Sequence, residues 1–319
     1  MSAVHGSAER RPTEHLASNE LVGRDSLRAR FLPVGLPGQR VGSTSRSAVE
    51  PVSARNFVTP DTSEIARRRL LSIRGEPLFY ADWDNVIFIH YQTDPQELQR
   101  CIPYRLDLYQ GSAFVSLVAF TMRGMRPRFG GSLSALFFKP ISTHHFLNVR
   151  TYVTHEAEPG IYFMHEWLSS RLATWLGPRS FGLPYRFARM AYHHEHEHER
   201  RGKIEAGAGS FHFCATFEAN DPAICALGSL DEFLLERYTA FTQFGTYRRF
   251  FRIWHEPWQQ VPAKIQIATD NLIHSAGGWW RGARCIGANY SPGVNVWMGW
   301  PHAIGNSGIV SSTDNESIL

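Results

Sequence analysis

The sequence predicts an α+β domain made mainly of antiparallel strands, a barrel or sandwich with a few short helices. Three observations predict it. Between residues 75 and 304, about nine runs rich in β-branched and aromatic residues alternate or stay apolar for strand-like lengths. Only three stretches carry helix-start signals together with helical spacing. The chain is 43% hydrophobic and 13% aromatic, enough for a sizeable β-rich core.

Taken in order, residues 1–74 carry scattered apolar residues and no sustained period, and are expected to be a disordered tail. Ile65–Ile73 is a candidate short helix just before the domain. Val86–Tyr91 reads as the first strand. Thr93-Asp-Pro-Gln-Glu then opens a helix over 96–101, with Pro in its first turn. Strands over 106–109 and 114–120 are joined through Gly111, and residues 123–133 form a Gly/Arg loop. Strands over 146–155 and 161–168 pair through Ala157-Glu-Pro-Gly160, and 169–184 supplies a short helix and a loop. Residues 186–201 and 203–218 alternate, with Arg201-Gly202 as their turn. A helix over 231–241, capped by Ser229 or Asp231, precedes strands at 247–254, 264–267 and 294–300. Residues 75–304 are thus one domain, and 305–319 a second polar tail. No internal repeat is present.

Charge is concentrated rather than spread. Residues 1–74 hold 12 Arg, no Lys and 7 acids, while the remainder holds 21 basic and 22 acidic residues. The domain therefore lacks a nucleic-acid footprint. The four cysteines, at 101, 214, 225 and 285, are far apart and suggest neither a zinc module nor a disulfide scaffold. No apolar run approaches membrane-span length and no secretory leader is visible, so a cytoplasmic protein with no membrane partner is expected.

The phrases LNVRTYV (147–153), PGIYF (159–163), FGLPYRFARM (181–190), FLLERY (233–238), HEPW (255–258) and YSPGVNVW (290–297) occur in an order and spacing that resembles the YqjF-like family of bacterial proteins. That family is in turn similar in fold to acetoacetate decarboxylase, which implies a closed, strongly bent antiparallel β-barrel around a central pocket. HYQTDPQELQRCIP (90–103) and RLATWLGPRSFGLP (171–184) carry this more distant likeness. In the second segment the decarboxylase's Lys-Lys pair is replaced by Arg179-Ser180. Arginine stays protonated and cannot form an imine, so the resemblance implies a pocket without Schiff-base chemistry.

Candidate functional residues follow. Arg179 could hold a carboxylate bidentately with help from Ser180, or make a structural ion pair. Arg150 and Tyr152 share a face of a strand whose valines point the other way. They are expected in the lumen, either binding a ligand or forming a polar core network with Glu166 or Glu236. Tyr185 follows the Arg179 segment and is a further ligand candidate. His255 and Glu236 are the acid/base candidates, with backbone capping as the plainer role of His255. His194, His196 and His198 alternate with glutamates and read as a solvated hairpin rather than a metal site. No metal and no cofactor are expected. The function expected is non-covalent binding of a small acidic or carbonyl metabolite, with lyase or hydrolase chemistry left open. The alternatives are a sensor without turnover and a scaffold recruited through the basic tail; self-association is compatible with each.

Overall fold

The computed structural model describes residues 62–305 except residue 195. Of the tails predicted over 1–74 and 305–319, residues 1–61 and 306–319 lie outside the described residues. The elements are α1 (Thr62–Leu71), β1 (Phe79–Thr93), α2 (Pro95–Gln99), β2 (Arg105–Leu106), β3 (Ala113–Pro127), α3 (Gly131–Phe138) and β4 (His144–His155). There follow β5 (Glu158–Leu168), α4 (Arg171–Phe181), β6 (Tyr185–Phe187), β7 (Arg189–His193), β8 (Glu199–Ala206), β9 (Gly209–Phe217) and α5 (Leu230–Leu235). The last are β10 (Thr239–Phe244), β11 (Tyr247–His255), β12 (Val261–Thr269), α6 (Asn271–His274), β13 (Arg284–Met298) and β14 (His302–Ala303).

Strand pairing closes a ring. The order β11-β10-β5-β4-β3-β1-β13 returns to β11 through Ile253↔Met298, Trp254↔Trp297 and His255↔Val296. Pairs in the ring are antiparallel except β10 with β5. From β13 the sheet continues through β12, β9, β8 and β7. This extension folds over the outside of the ring. Ile87, Leu117, Val149 and Trp167 on the outer face form one apolar cluster with Phe211, Phe213 and Ile204 of the extension. A second cluster, with Phe88, Val118, Phe120, Tyr152, Phe163 and Phe251, fills the ring. The α+β class and the antiparallel plan therefore agree with the sequence reading.

Boundaries moved where local chemistry was misread. Helix α5 stops at Leu235, and residues 239–241, predicted as its last turn, open strand β10. Its Thr-Ala-Phe-Thr pattern suits a pleated sheet, and Thr239 and Phe241 are buried there. The turn predicted at Arg201-Gly202 lies instead around residues 194–198. Gly202 sits inside β8, opposite Phe213. A Cβ at 202 would stand 2.1 Å from the Phe213 ring, so glycine here makes room for a cross-strand aromatic. The Gly/Arg loop is shorter than predicted, because β3 runs to Pro127 and α3 begins at Gly131.

Residues 62–74, placed in the tail on sequence grounds, dock on the sheet. Leu70 is fully buried. Ser63 Oγ donates to the His255 carbonyl at 2.7 Å, and Trp254 Nε1 donates to the Ser63 carbonyl at 3.1 Å. Arg69 pairs with Glu158 at 2.9 Å.

Candidate functional site

Strand β4 alternates cleanly. Leu147, Val149 and Val153 face the outer cluster; His144, Phe146, Asn148, Arg150 and Tyr152 face the ring interior. Strand β5 does not alternate throughout. Val149 pairs with His165 but Arg150 pairs with Phe163, so Met164 is an extra residue. This bulge changes the parity of the strand. Phe163 points inward before it, and Glu166 and Leu168 after it, while Trp167 turns to the outer cluster. Glu166 thereby comes directly opposite Asn148.

These groups end a cavity of about 520 Å³. Its walls are apolar, with Trp83, Phe120, Met122 and Phe251 from the ring, Phe138 from α3, Ile141 after it and Leu176 from α4. The polar lining residues are His144, Asn148, Glu166, Ser180 and Tyr185. Asn148 Oδ1 and Glu166 Oε2 are buried without hydrogen-bond partners. Burial raises the Glu166 carboxyl well above the ordinary carboxylate range, which favours its neutral form. Burial also lowers His144 to about 4, partly offset by the Ile141 backbone. Tyr185 is pushed well up by burial and by Glu166 beside it. The cavity end is therefore polar but carries little charge.

Helix α4 closes one side. Ser170 caps its start by accepting from the Ala173 N–H, and Gly182 ends it in the left-handed region at φ 73°. Gly177 is needed for packing: a Cβ there would lie 2.3 Å from the Tyr185 ring. Tyr185 is thus held against the helix and edge-on to Phe146.

The predicted site residues are divided by the fold. Ser180 and Tyr185 line the cavity; the Ser180 hydroxyl donates to the Leu176 carbonyl at 3.0 Å. Arg179 does not reach it, which corrects the expectation of an inward guanidinium. The residue sits in the last turn of α4, not in a loop. Its side chain is exposed, donates to the Trp175 carbonyl at 2.7 Å, and stacks on the Trp175 ring. Adjacent helix positions diverge by about 100°, so Ser180, though exposed, borders the cavity while Arg179 points away from it.

Arg150 and Tyr152 do face the ring interior, but in a packed polar network outside the cavity lining. Both donate to the Leu234 carbonyl at 2.9 Å. Tyr152 OH also meets Ser116 Oγ, which meets His90 Nδ1 at 2.7 Å, and His90 Nε2 meets Asn289 Oδ1 at 3.0 Å. The serine–histidine–asparagine order has the contacts of a nucleophile, a base and its orienter. All three are almost fully buried and none touches the cavity, so they act as a core network. Burial beside Arg150 holds His90 neutral, at about 3.

His255 and Glu236 lie near this network. His255 Nδ1 bonds the Glu256 carbonyl at 2.7 Å, its ring stacks on Tyr238, and burial lowers its pKa to about 4. Glu236 accepts from the Trp258 N–H at 2.9 Å and from the Tyr238 hydroxyl. Neither lines the cavity. His194, His196 and His198 occupy the β7–β8 turn rather than one strand face, and among the described residues no group of three His, Cys, Asp or Glu could hold a metal ion. None of Lys139, Lys203 and Lys264 lines the cavity.

The fold resembles that of solved acetoacetate decarboxylase-like enzymes. An acetoacetate decarboxylase-like enzyme from Sphingomonas wittichii RW1 superposes with a TM-score of 0.51 at 12% identity, covering 72% of this chain and 94% of that one. The enduracididine biosynthesis enzyme MppR, with HEPES buffer bound, gives 0.52 at 10% identity, covering 73% and 89%. At such identities the likeness is one of fold. The chain itself belongs to the DUF2071 family, an uncharacterized conserved protein family whose model matches residues 80–295. The uncharacterized protein YqjF of Bacillus subtilis (strain 168) is 31% identical over 203 residues, 61% of this chain and 80% of that protein.

Proposed function

We propose that the cavity binds, without covalent attachment, a small molecule with an apolar body and a carbonyl or hydroxyl head. One observation carries the reading: Asn148 and Glu166 present unpartnered polar atoms at the buried polar part of an otherwise apolar cavity. An unsatisfied buried polar group costs about 1–3 kcal/mol. A ligand carbonyl that accepts from a neutral Glu166, beside a ligand hydroxyl that donates to Asn148 Oδ1, relieves that cost only when bound. The charge state selects among ligands. With Glu166 and His144 both favoured as neutral, and Arg179 in solvent, a carbonyl suits the lining better than a carboxylate.

Thermal shift with short hydroxyketones, each beside the carboxylic acid of matching size, tests this. The carbonyl compounds are expected to raise the melting temperature and the acids to do so less. Asn148→Leu should abolish the shift while keeping the fold. Equal shifts from acids, or a shift that survives both Asn148→Leu and Glu166→Leu, would refute the reading.

A further inference from the structure

The cavity opens between α3, the 3-10 turn Lys139–Ile141, α4 and the segment 298–303, and this rim is unlike the rest of the surface. On and just before α3, Phe129, Leu133, Leu136 and Phe137 are 56–82% exposed. On α4, Leu172 is 47% and Trp175 55% exposed. Helix α4 packs on the 3-10 turn that follows α3, which brings both helices to the same rim. A soluble surface rarely presents so many large apolar side chains together unless something covers them.

The charge around them points to what does. Segments 124–143, 169–182 and 298–303 contain Arg126, Arg128, Lys139, Arg171 and Arg179, all exposed, and no Asp or Glu. Several of these cations lie over aromatic rings: Arg128 over Phe129, Arg171 over Phe187, Arg179 over Trp175. Apolar side chains ringed by arginine and lysine, with aromatics between, match the layering of an anionic lipid surface, acyl chains beneath phosphate. A second copy of the same face fits poorly, because a two-fold contact would set five exposed cations against five, while the acids beside them, buried Glu76 and half-buried Asp82, are already engaged by His302 and Asn295.

We infer that this rim docks on an anionic lipid bilayer, with α3 and α4 in the interface and the cavity mouth facing the membrane. The association is peripheral; among the described residues no helix is long and apolar enough to cross a membrane. The inference goes beyond the reading of the cavity and does not depend on which molecule fills it. It assigns Arg179 a role at the rim rather than in the cavity.

The test is co-sedimentation of the full chain with vesicles of phosphatidylcholine alone or with about 30% phosphatidylserine, at low and high salt. Binding to the anionic vesicles is expected to exceed binding to neutral ones by about tenfold or more and to weaken with salt. Two double variants separate the contributions. Leu133→Asp with Phe137→Asp should lower anionic-vesicle binding at least about tenfold with an unchanged melting temperature, since exposed positions contribute little to folding. Arg171→Glu with Arg179→Glu should remove most of the preference for phosphatidylserine. Absence of binding to anionic vesicles at low salt, or binding that both variants leave intact, overturns the inference. So does a lipid-free protein whose sedimentation mass is that of a dimer and falls to monomer in the Leu133→Asp, Phe137→Asp variant; the rim would then join copies of the chain.

Discussion

Glu166 and Asn148 are the residues on which the cavity turns, and their environment makes the consequences of changing them calculable. Glu166 is buried with its pKa raised, so between the unfolded value near 4.5 and its folded value the native state holds a proton that the unfolded chain has released. Stability contributed this way is present below the unfolded pKa and is lost as pH rises toward the folded one. Glu166→Gln keeps the shape and removes the titration. The variant should therefore gain stability relative to the parent as pH rises from 5 to 8, measured by urea unfolding at each pH. A constant difference across that range would show that Glu166 is ionised in the fold. Gly177 offers a second residue-scale test. Its missing Cβ is what lets the Tyr185 ring approach. Gly177→Ala should cost about 1–3 kcal/mol through overpacking and weaken any cavity ligand, because Tyr185 must move.

At the scale of elements, α1 decides where the folded unit begins. Its Leu70 is fully buried, and Ser63 bonds backbone and side-chain partners on β11. A chain begun at residue 75 should melt well below one begun at residue 62, and Leu70→Ala in the full chain should cost about 2–5 kcal/mol. Equal melting temperatures for the two truncations would mean that α1 adds no stability. The sequence reading located the apolar and basic pattern of 65–73 but left it with the tail. Ten residues with three consecutive arginines look solvated in isolation, and only the sheet supplies the surface against which Leu70 is buried. Helix α4 shows the same limit. Its Pro178 and Gly177 suggest a loop, yet Ser170 and Gly182 cap a continuous helix around them.

For the whole molecule, the ring interior and its outer layer hold several neutral histidines. His90, at about 3, and His255, at about 4, are both fully buried and lowered first of all by desolvation. Above the unfolded value near 6.5 both states are neutral and the fold loses nothing. As pH falls from 6.5 toward 4, the unfolded chain takes up protons that the native state refuses, and stability drops by about 1.4 kcal/mol per pH unit for each such histidine. The melting temperature should fall steeply over that window. His255→Asn should flatten the fall, and an unchanged slope would mean that His255 already carries a proton in the fold.

The sequence by itself determined the strand-rich class, the kinship carried by six short motifs, and the inward face of β4, because period-two alternation in LNVRTYV is a local property that survives into the fold. Tertiary structure alone decided which polar residues meet in the cavity. The bulge at Met164 turns Glu166 inward against the parity of the preceding residues, and nothing in IYFMHEWL marks where the extra residue falls. Asn148 is one more polar position on that inward face, but the lack of a partner for its Oδ1 is a property of the enclosed space, not of its neighbours in the chain. Arg179 failed as a cavity residue for the converse reason: a motif fixes a position along the chain, whereas the helical rotation of α4 fixes whether that position faces the ligand or the solvent.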